Sequence, residues 1–201
     1  MSVQGHKSIV ALLGAPDIKK RLIVTPILEA SQIGSASIDV RLSYEFVSVK
    51  RGNIGFLDPC ALEDGRHRFR TPHHLNRGER FYLHPNEMVL ASTLEYVRLP
   101  LNIAAYVTSR SKWGRLGLVI ATATAIHPGF TGTITLELVN HGTIPIALYP
   151  GLDVAQLILH EVKNATPYEG ALSRQTGPHI SSPLSSESKL GDFWCPKKSS
   201  S

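Results

Sequence analysis

The sequence predicts a mainly β chain, an antiparallel sandwich or barrel, and three observations carry that expectation. Apolar and polar residues alternate with period two through most of the chain beyond Ser37. Turn signals such as His84-Pro85-Asn86, His127-Pro128-Gly129, Asn140-His141-Gly142 and Tyr149-Pro150-Gly151 interrupt that alternation, at intervals of about 8 to 12 residues. Helical spacing is confined to the segment 8–24. A length of 201 residues with 42% hydrophobic and 18% charged residues suits one folded domain with a tail, and excludes a disordered chain.

The elements follow in order. Ile9, Leu12, Leu13, Ile18, Leu22 and Ile23 predict two short helices separated by Gly14-Ala15-Pro16, with Asp17 able to cap the second. Strands are then expected at Ile38–Leu42, Phe46–Val49, Phe81–Leu83, Met88–Ala91, Tyr96–Leu99, Ile103–Val107, Gly117–Ala121, Thr133–Leu138, Ile144–Leu148 and Val154–Leu159. The Arg- and His-rich stretch Asp58–Arg80 reads as a long exposed excursion. Residues 1–178 are taken as the domain, and 179–201, with eight serines, as a mobile tail.

Charge and cysteine content narrow the function classes. Lys and Arg number 21 against 16 Asp and Glu, a net +5 that favours an anionic partner such as phosphate, nucleic acid or a membrane surface. Cys60 and Cys195 alone make no disulfide framework and no structural zinc site. The only apolar stretch near the start, Ile9–Leu13, is too short for a signal sequence, and no run is long enough to span a membrane. A soluble, cytoplasmic protein is expected. Nucleic acid is not, since aromatics make up 7% of the chain and no recognition motif is present.

Two segments could carry chemistry. In Arg110-Ser111-Lys112-Trp113-Gly114-Arg115, three cations and a hydroxyl follow an apolar strand. Hydroxyls, backbone amides and guanidinium forks suit the many acceptor oxygens of a triphosphate, although the same residues also suit a solvated basic turn. No GxxxxGK[ST] loop is present, so a Walker-type site is excluded. In the second segment, period two puts Ile134, Leu136 and Leu138 on one face and Thr133, Thr135 and Glu137 on the other. On periodicity alone, Glu137 is a solvent-facing residue.

These segments resemble the dCTP deaminase branch of the dUTPase-like superfamily. The resemblance rests on Arg110–Leu118, the turn His127-Pro128-Gly129-Phe130 and the strand Thr135-Leu136-Glu137-Leu138-Val139-Asn140. Ala36–Leu42, Phe81–Pro85, Val154–Leu157 and Gln175–Pro178 complete the order. It implies a distorted β-barrel or jelly roll of the dUTPase-like type with short N-terminal helices, assembled as a homotrimer with sites between subunits. It also implies zinc-independent deamination of dCTP to dUTP and ammonia.

By that resemblance Glu137 is the general base, Arg115 holds its carboxylate and Ser111 orients the water. Arg110, Ser111 and Lys112, with Trp113 and Gly114 between the cations, bind the triphosphate, which brings Mg²⁺ with it. Phe130 lies against the sugar, Thr135, Leu136 and His127 complete the pocket, and Gln156, Tyr168 and Gln175 close over the nucleotide. dTTP is implied as an inhibitor. The sequence departs from the family pattern at His127, where an aspartate is usual, at Lys112 for a serine and at Gly114 for an alanine. His127 either accepts a proton or hydrogen-bonds the 3′-hydroxyl, or is simply a turn residue. Hydrolysis of dUTP or a modified pyrimidine triphosphate, and nucleotide sensing without turnover, are the alternative readings.

Overall fold

The computed structural model of the protein describes residues 2–49, 70–122, 125–166 and 176–178. The tail 179–201, Tyr168, Gln175 and residues 58–69 of the 58–80 stretch fall outside the described residues. In chain order come α1 (His6–Leu13), β1 (Ile23–Thr25), a single 3₁₀ turn (Ala30–Gln32), β2 (Ile38–Val49), β3 (Arg70–His74), β4 (Phe81–Leu83), β5 (Met88–Thr93) and β6 (Tyr96–Arg98). β7 (Ile103–Ser109), α2 (Ser111–Gly114), β8 (Leu118–Ile120), β9 (Ala125–Ile126), β10 (Thr131–Gly132), β11 (Thr135–Asn140), β12 (Ile146–Leu148) and β13 (Asp153–Glu161) follow.

The chain is mainly β, as expected. Eight strands form one sheet in the order β8-β11-β5-β2-β13-β7-β9, with β3 also on β2. Two small sheets, β1-β6-β10 and β12-β4, complete the architecture.

β2 joins the two halves of the large sheet. The sequence suggested two strands, Ile38–Leu42 and Phe46–Val49, but a single strand of 12 residues runs through both. Its first part pairs with β13, Ile38 opposite Leu157 and Arg41 opposite Asp153. Its second part pairs with β3 on the same edge and β5 on the other, so Phe46 lies between His73 and Ala91. Register shifts on both sides of this change of partner bend the strand. Alternation turns Ile38, Val40, Leu42 and Phe46 into the core, all fully buried. Burial stabilises by about 1.5–3 kcal/mol for each such side chain. Phe46 also stacks on Phe81, with centroids 5.4 Å apart and an interplanar angle of 4°.

Two expectations need correction. The second N-terminal helix is absent. Gly14 N–H closes α1 on Val10 C=O at 3.0 Å, and Asp17 instead caps a turn, accepting from Lys19 N–H at 2.9 Å. The β-branched residues that follow then form β1 against β6. The 58–80 stretch is not an excursion at its end, because Arg70–His74 is a ladder strand on β2. There His73 Nε2 lies 2.8 Å from Ser48 Oγ, and its ring meets Phe81 edge-on. Charged and histidine side chains had hidden its period. β9 and β10, two residues each, are too short to show any alternation.

Gly117 connects α2 to β8 and runs close against Gly142. Its φ is +89°, and a Cβ there would lie 2.5 Å from Gly142 N and 2.7 Å from Gly142 Cα. At Gly114, the end of α2, a Cβ would meet nothing within 4 Å, and the backbone is not left-handed. Gly117→Ala is therefore expected to cost about 3 kcal/mol or more in thermal or chemical unfolding. Gly114→Ala should be neutral or stabilise by about 0.5–1 kcal/mol.

Candidate active site

The basic segment is a short helix bolted to the start of β13. Arg110, extended at φ −79° and ψ 132°, caps α2, and its N–H donates to Val154 C=O at 3.1 Å. Trp113 Nε1–H donates to Asp153 C=O at 2.7 Å. Arg110 NH1 pairs with Asp39 Oδ2 and lies 2.8 Å from Asp153 Oδ2, while Lys112 Nζ lies 2.6 Å from Asp153 Oδ1. Two of the three cations are thus neutralised inside the chain. Burial lifts the Asp39 carboxyl above the ordinary carboxylate range, with Arg110 opposing that effect. Beside them opens a cleft of about 380 Å³, whose walls include Gln32, Asp39, Arg41, Arg110 and Asp153.

Glu137 occupies a rigid place. Its strand β11 is paired on both edges, with Glu137 opposite Leu90 of β5. On the other edge Ala121 N–H donates to Glu137 C=O at 2.8 Å, and Glu137 N–H donates to Thr122 Oγ1 at 2.8 Å. The threonine hydroxyl thereby continues the ladder beyond the end of β8. The expected faces are present. Leu136 and Leu138 are fully buried, whereas Thr135 and Glu137 are half-buried on the outer side. Glu137 is therefore less solvated than the plain reading of its strand allowed. Burial alone lifts its carboxyl above the ordinary glutamate range, and no charged group of the described chain acts on it.

Arg115 and Ser111 do not meet Glu137 within one chain. β8 pairs with β11 from Leu118 opposite Asn140 to Ile120 opposite Leu138. Arg115 precedes the first of these pairs and Glu137 lies beyond the last, so the two sit at opposite ends of the pairing. Ser111, Lys112, Gly114 and Arg115 are exposed, and Trp113 is half-buried against the core.

The remaining sequence candidates separate into accessible and inaccessible groups. His127 is exposed in a turn closed by Phe130 N–H on His127 C=O at 3.1 Å. Phe130 is only 7% exposed and belongs to the hydrophobic core, which leaves little of its ring for a sugar. Leu136 points inward, so only its backbone can face a ligand. Gln156 on β13 is half-buried, and its Oε1 accepts from Ser37 Oγ at 3.3 Å. Tyr168 and Gln175 lie outside the described residues.

Sequence reasoning missed Asp153 and the role of Asp39, the carboxylates that hold the cradle. It also missed Gln32, Arg41 and Glu95, which are 3%, 8% and 0% exposed and form a buried polar group beneath the cleft. Asp39 and Arg41 stood in the Ala36–Leu42 run that carried the resemblance. Glu95, in the sequence, is an ordinary turn residue between two strands.

Comparison with known proteins gives the family. A family model described as dCTP deaminase-like matches residues 9–162. The dCTP deaminase of Natronomonas pharaonis is 37% identical over 187 residues, covering 85% of this chain and 93% of that protein. A dUMP-forming dCTP deaminase of Methanosphaera stadtmanae is 37% identical over 185 residues, covering 86% and 93%. The crystal structure of the 2′-deoxycytidine 5′-triphosphate deaminase from Agrobacterium tumefaciens superposes with a TM-score of 0.59 at 22% identity. That match covers 78% of this chain and 47% of the solved one, so the chain spans about half of its length. The likeness is one of fold, the mainly β arrangement of one large and two small sheets expected in outline from the sequence. With its family model spanning α1 to β13 and relatives aligned over most of their length, the chain belongs to the dCTP deaminase-like family.

Proposed function

We propose that the protein deaminates dCTP to dUTP and ammonia, with Glu137 as general base. The observation that carries this reading is Glu137 itself, a half-buried carboxylate on a doubly paired strand, within the family match and raised in pKa by burial. A base must sit within hydrogen-bond reach of water and must be basic enough near neutral pH to take its proton. The water oxygen bonds to C4 as Glu137 takes a proton. The two protons of the water finish on N3 and on the amine, which leaves as ammonia. Such a base supplies about 10²–10⁴-fold. The rest of the acceleration falls to orientation of water and pyrimidine in a dry pocket.

Arg110, Ser111 and Lys112 take the triphosphate, and dTTP is read as a competitor for the same place. Mg²⁺ enters with the nucleotide and screens its phosphates. Asp39 and Asp153, the carboxylates beside the cradle, are engaged by Arg110 and Lys112, so the donor set suits the polyanion rather than a metal held by the protein alone. His127 lacks the permanent negative charge that would activate a second water toward the phosphate chain. dUTP is therefore the final product in this reading.

The site is completed by assembly. Within one chain Arg115 and Glu137 are separated by the length of the β8–β11 pairing, so an Arg115 that touches Glu137 comes from another copy. The outer face around Glu137 suits such an interface. Met88 and Val119 are 41% and 39% exposed and flank Val139 in register across β5, β11 and β8. The family resemblance supports reading the assembly as a homotrimer.

Three measurements test this. Purified protein with dCTP and Mg²⁺ should release ammonia and accumulate dUTP without pyrophosphate, and Glu137→Gln should abolish that release. Inertness toward dCTP at high enzyme concentration removes the reading, and stoichiometric pyrophosphate removes its product assignment. Glu137→Gln and Arg115→Gln, each inactive alone, should regain about one quarter of wild-type activity after mixed refolding at equal amounts, because one site in four then combines both intact residues. No recovery places both residues in one chain. Finally, any residual activity of Arg115→Gln should have its acid limb in kcat/KM at higher pH than wild type. The cation favours the ionised base, so its removal raises the pH at which Glu137 loses its proton.

A further inference from the structure

We propose that Asp153 is a positioning residue for the triphosphate cradle, fixing Arg110 and Lys112 through one shared carboxylate so that their remaining donors face the phosphates. This inference rests on the deaminase reading given above.

Asp153 is bound at both ends of the helix it serves. Its Oδ2 lies 2.8 Å from Arg110 NH1 and its Oδ1 2.6 Å from Lys112 Nζ. Its own carbonyl accepts from Trp113 Nε1 at 2.7 Å, and the carbonyl of Val154 accepts from Arg110 N–H at 3.1 Å. The register of β13 against β2 slips between Asp153 and Ala155, and Val154 and Ala155 are buried side by side. A slip of this kind re-aims side chains relative to the plain alternation. Here it accompanies a carboxylate aimed along the sheet edge toward α2.

The pattern of used and unused donors gives the geometry its meaning. Arg110 spends only NH1 on Asp39 and Asp153, and neither Nε nor NH2 bonds to a described residue. A guanidinium held by one edge keeps its other edge for a planar, two-point contact with phosphate oxygens. Lys112 spends one of its three N–H donors, on a side chain that is 52% exposed. Unheld, a lysine of that exposure samples many rotamers, and ordering it opposes nucleotide binding. Asp153 imposes that order before the nucleotide arrives, and its carboxylate lies between the cation that caps α2 and the one within it.

The effect belongs to binding rather than chemistry, because Asp153 touches no reacting atom. Asp153→Asn keeps the shape and removes the charge. In the full-length enzyme it is expected to raise KM for dCTP about tenfold with kcat within about twofold, the loss of one charge-assisted contact in the cradle. Lys112→Met should also raise KM, and the double variant should raise it by less than the product of the two single effects, since the Asp153–Lys112 contact is common to both while Asp153 separately holds Arg110. An unchanged or lowered KM, additive losses, or a fall in kcat at constant KM overturns the proposal. The last of these is the mark of a merely structural role. Calorimetric binding of inorganic tripolyphosphate to the same variants keeps the two readings apart. Wild type that binds it about tenfold more tightly than Asp153→Asn supports positioning even if dCTP is not converted. Equal binding, or none to wild type, sinks it.

Discussion

Where β2 changes partners, one buried carboxylate takes up the backbone amide that the ladder leaves over. Arg41 faces Asp153 of β13, and the next residue, Leu42, already faces Thr93 of β5. At that step Arg41 N–H donates to Glu95 Oε2 at 2.8 Å. An unpaired amide buried there would cost about 1–3 kcal/mol. Glu95 is itself fully buried, and burial lifts its carboxyl above the ordinary range. Its other oxygen accepts from Gln32 Nε2 at 3.0 Å and lies 3.8 Å from Arg41 Nε. Gln32 also donates to Asp39 C=O at 2.9 Å and accepts from Leu28 N–H and from Arg41. Such a network is secure only when complete, because losing one member leaves several buried groups without partners.

The same bend builds the cradle. Asp39 lies two residues before Arg41 on β2, and Asp153 lies opposite Arg41 on β13. Their side chains meet at Arg110 NH1, so the carboxylates that hold the cradle come from the two strands that part at Glu95. The cleft beside them has Gln32 and Arg41 in its wall for the same reason. A strand that ran straight would keep Asp39 and Asp153 in an ordinary register with no shared cation between them. Fold and site therefore depend on one irregularity, and the polar groups that make it tolerable are those nearest the phosphate cradle.

This explains what the sequence could and could not disclose. Most strands from Phe81 to Leu159 were legible because they bury one face, as β11 does, and a half-buried strand writes its period into the chain. Glu137 was placed on the correct face by alternation, and its importance came from the residues around it. The period that joins the two halves of β2 was in the chain, since Ile38, Val40, Leu42, Tyr44 and Phe46 alternate with polar residues without a break. The bend was not legible, because it lies in the register with β5 and leaves Tyr44 exposed. β9 and β10 are shorter than one full period. Glu95 and Asp153 were invisible for a different reason. An acidic residue in a turn or at a strand start is usually solvated, and only contacts more than 40 residues distant in sequence turn these two inward.

The separation of base from cradle also has an electrostatic logic. In one chain, Glu137 titrates under burial alone, with no cation to favour its ionised form. The cradle in the same chain has Arg110 and Lys112 balanced by Asp39 and Asp153. Neither half is poised for reaction by itself. The base lacks its countercharge, and the cations have theirs. In the proposed assembly, a neighbouring copy that brings Arg115 to Glu137 supplies the first deficit. A triphosphate bound as proposed supplies anionic oxygens to the unused donors of Arg110 and Lys112 without removing the carboxylates that hold them. The base is then carried by a strand fixed on both edges, while Arg110 and Lys112 sit at the cap and in the first turn of a four-residue helix. Proton transfer needs the stricter positioning of the two, and it is placed on the stiffer element.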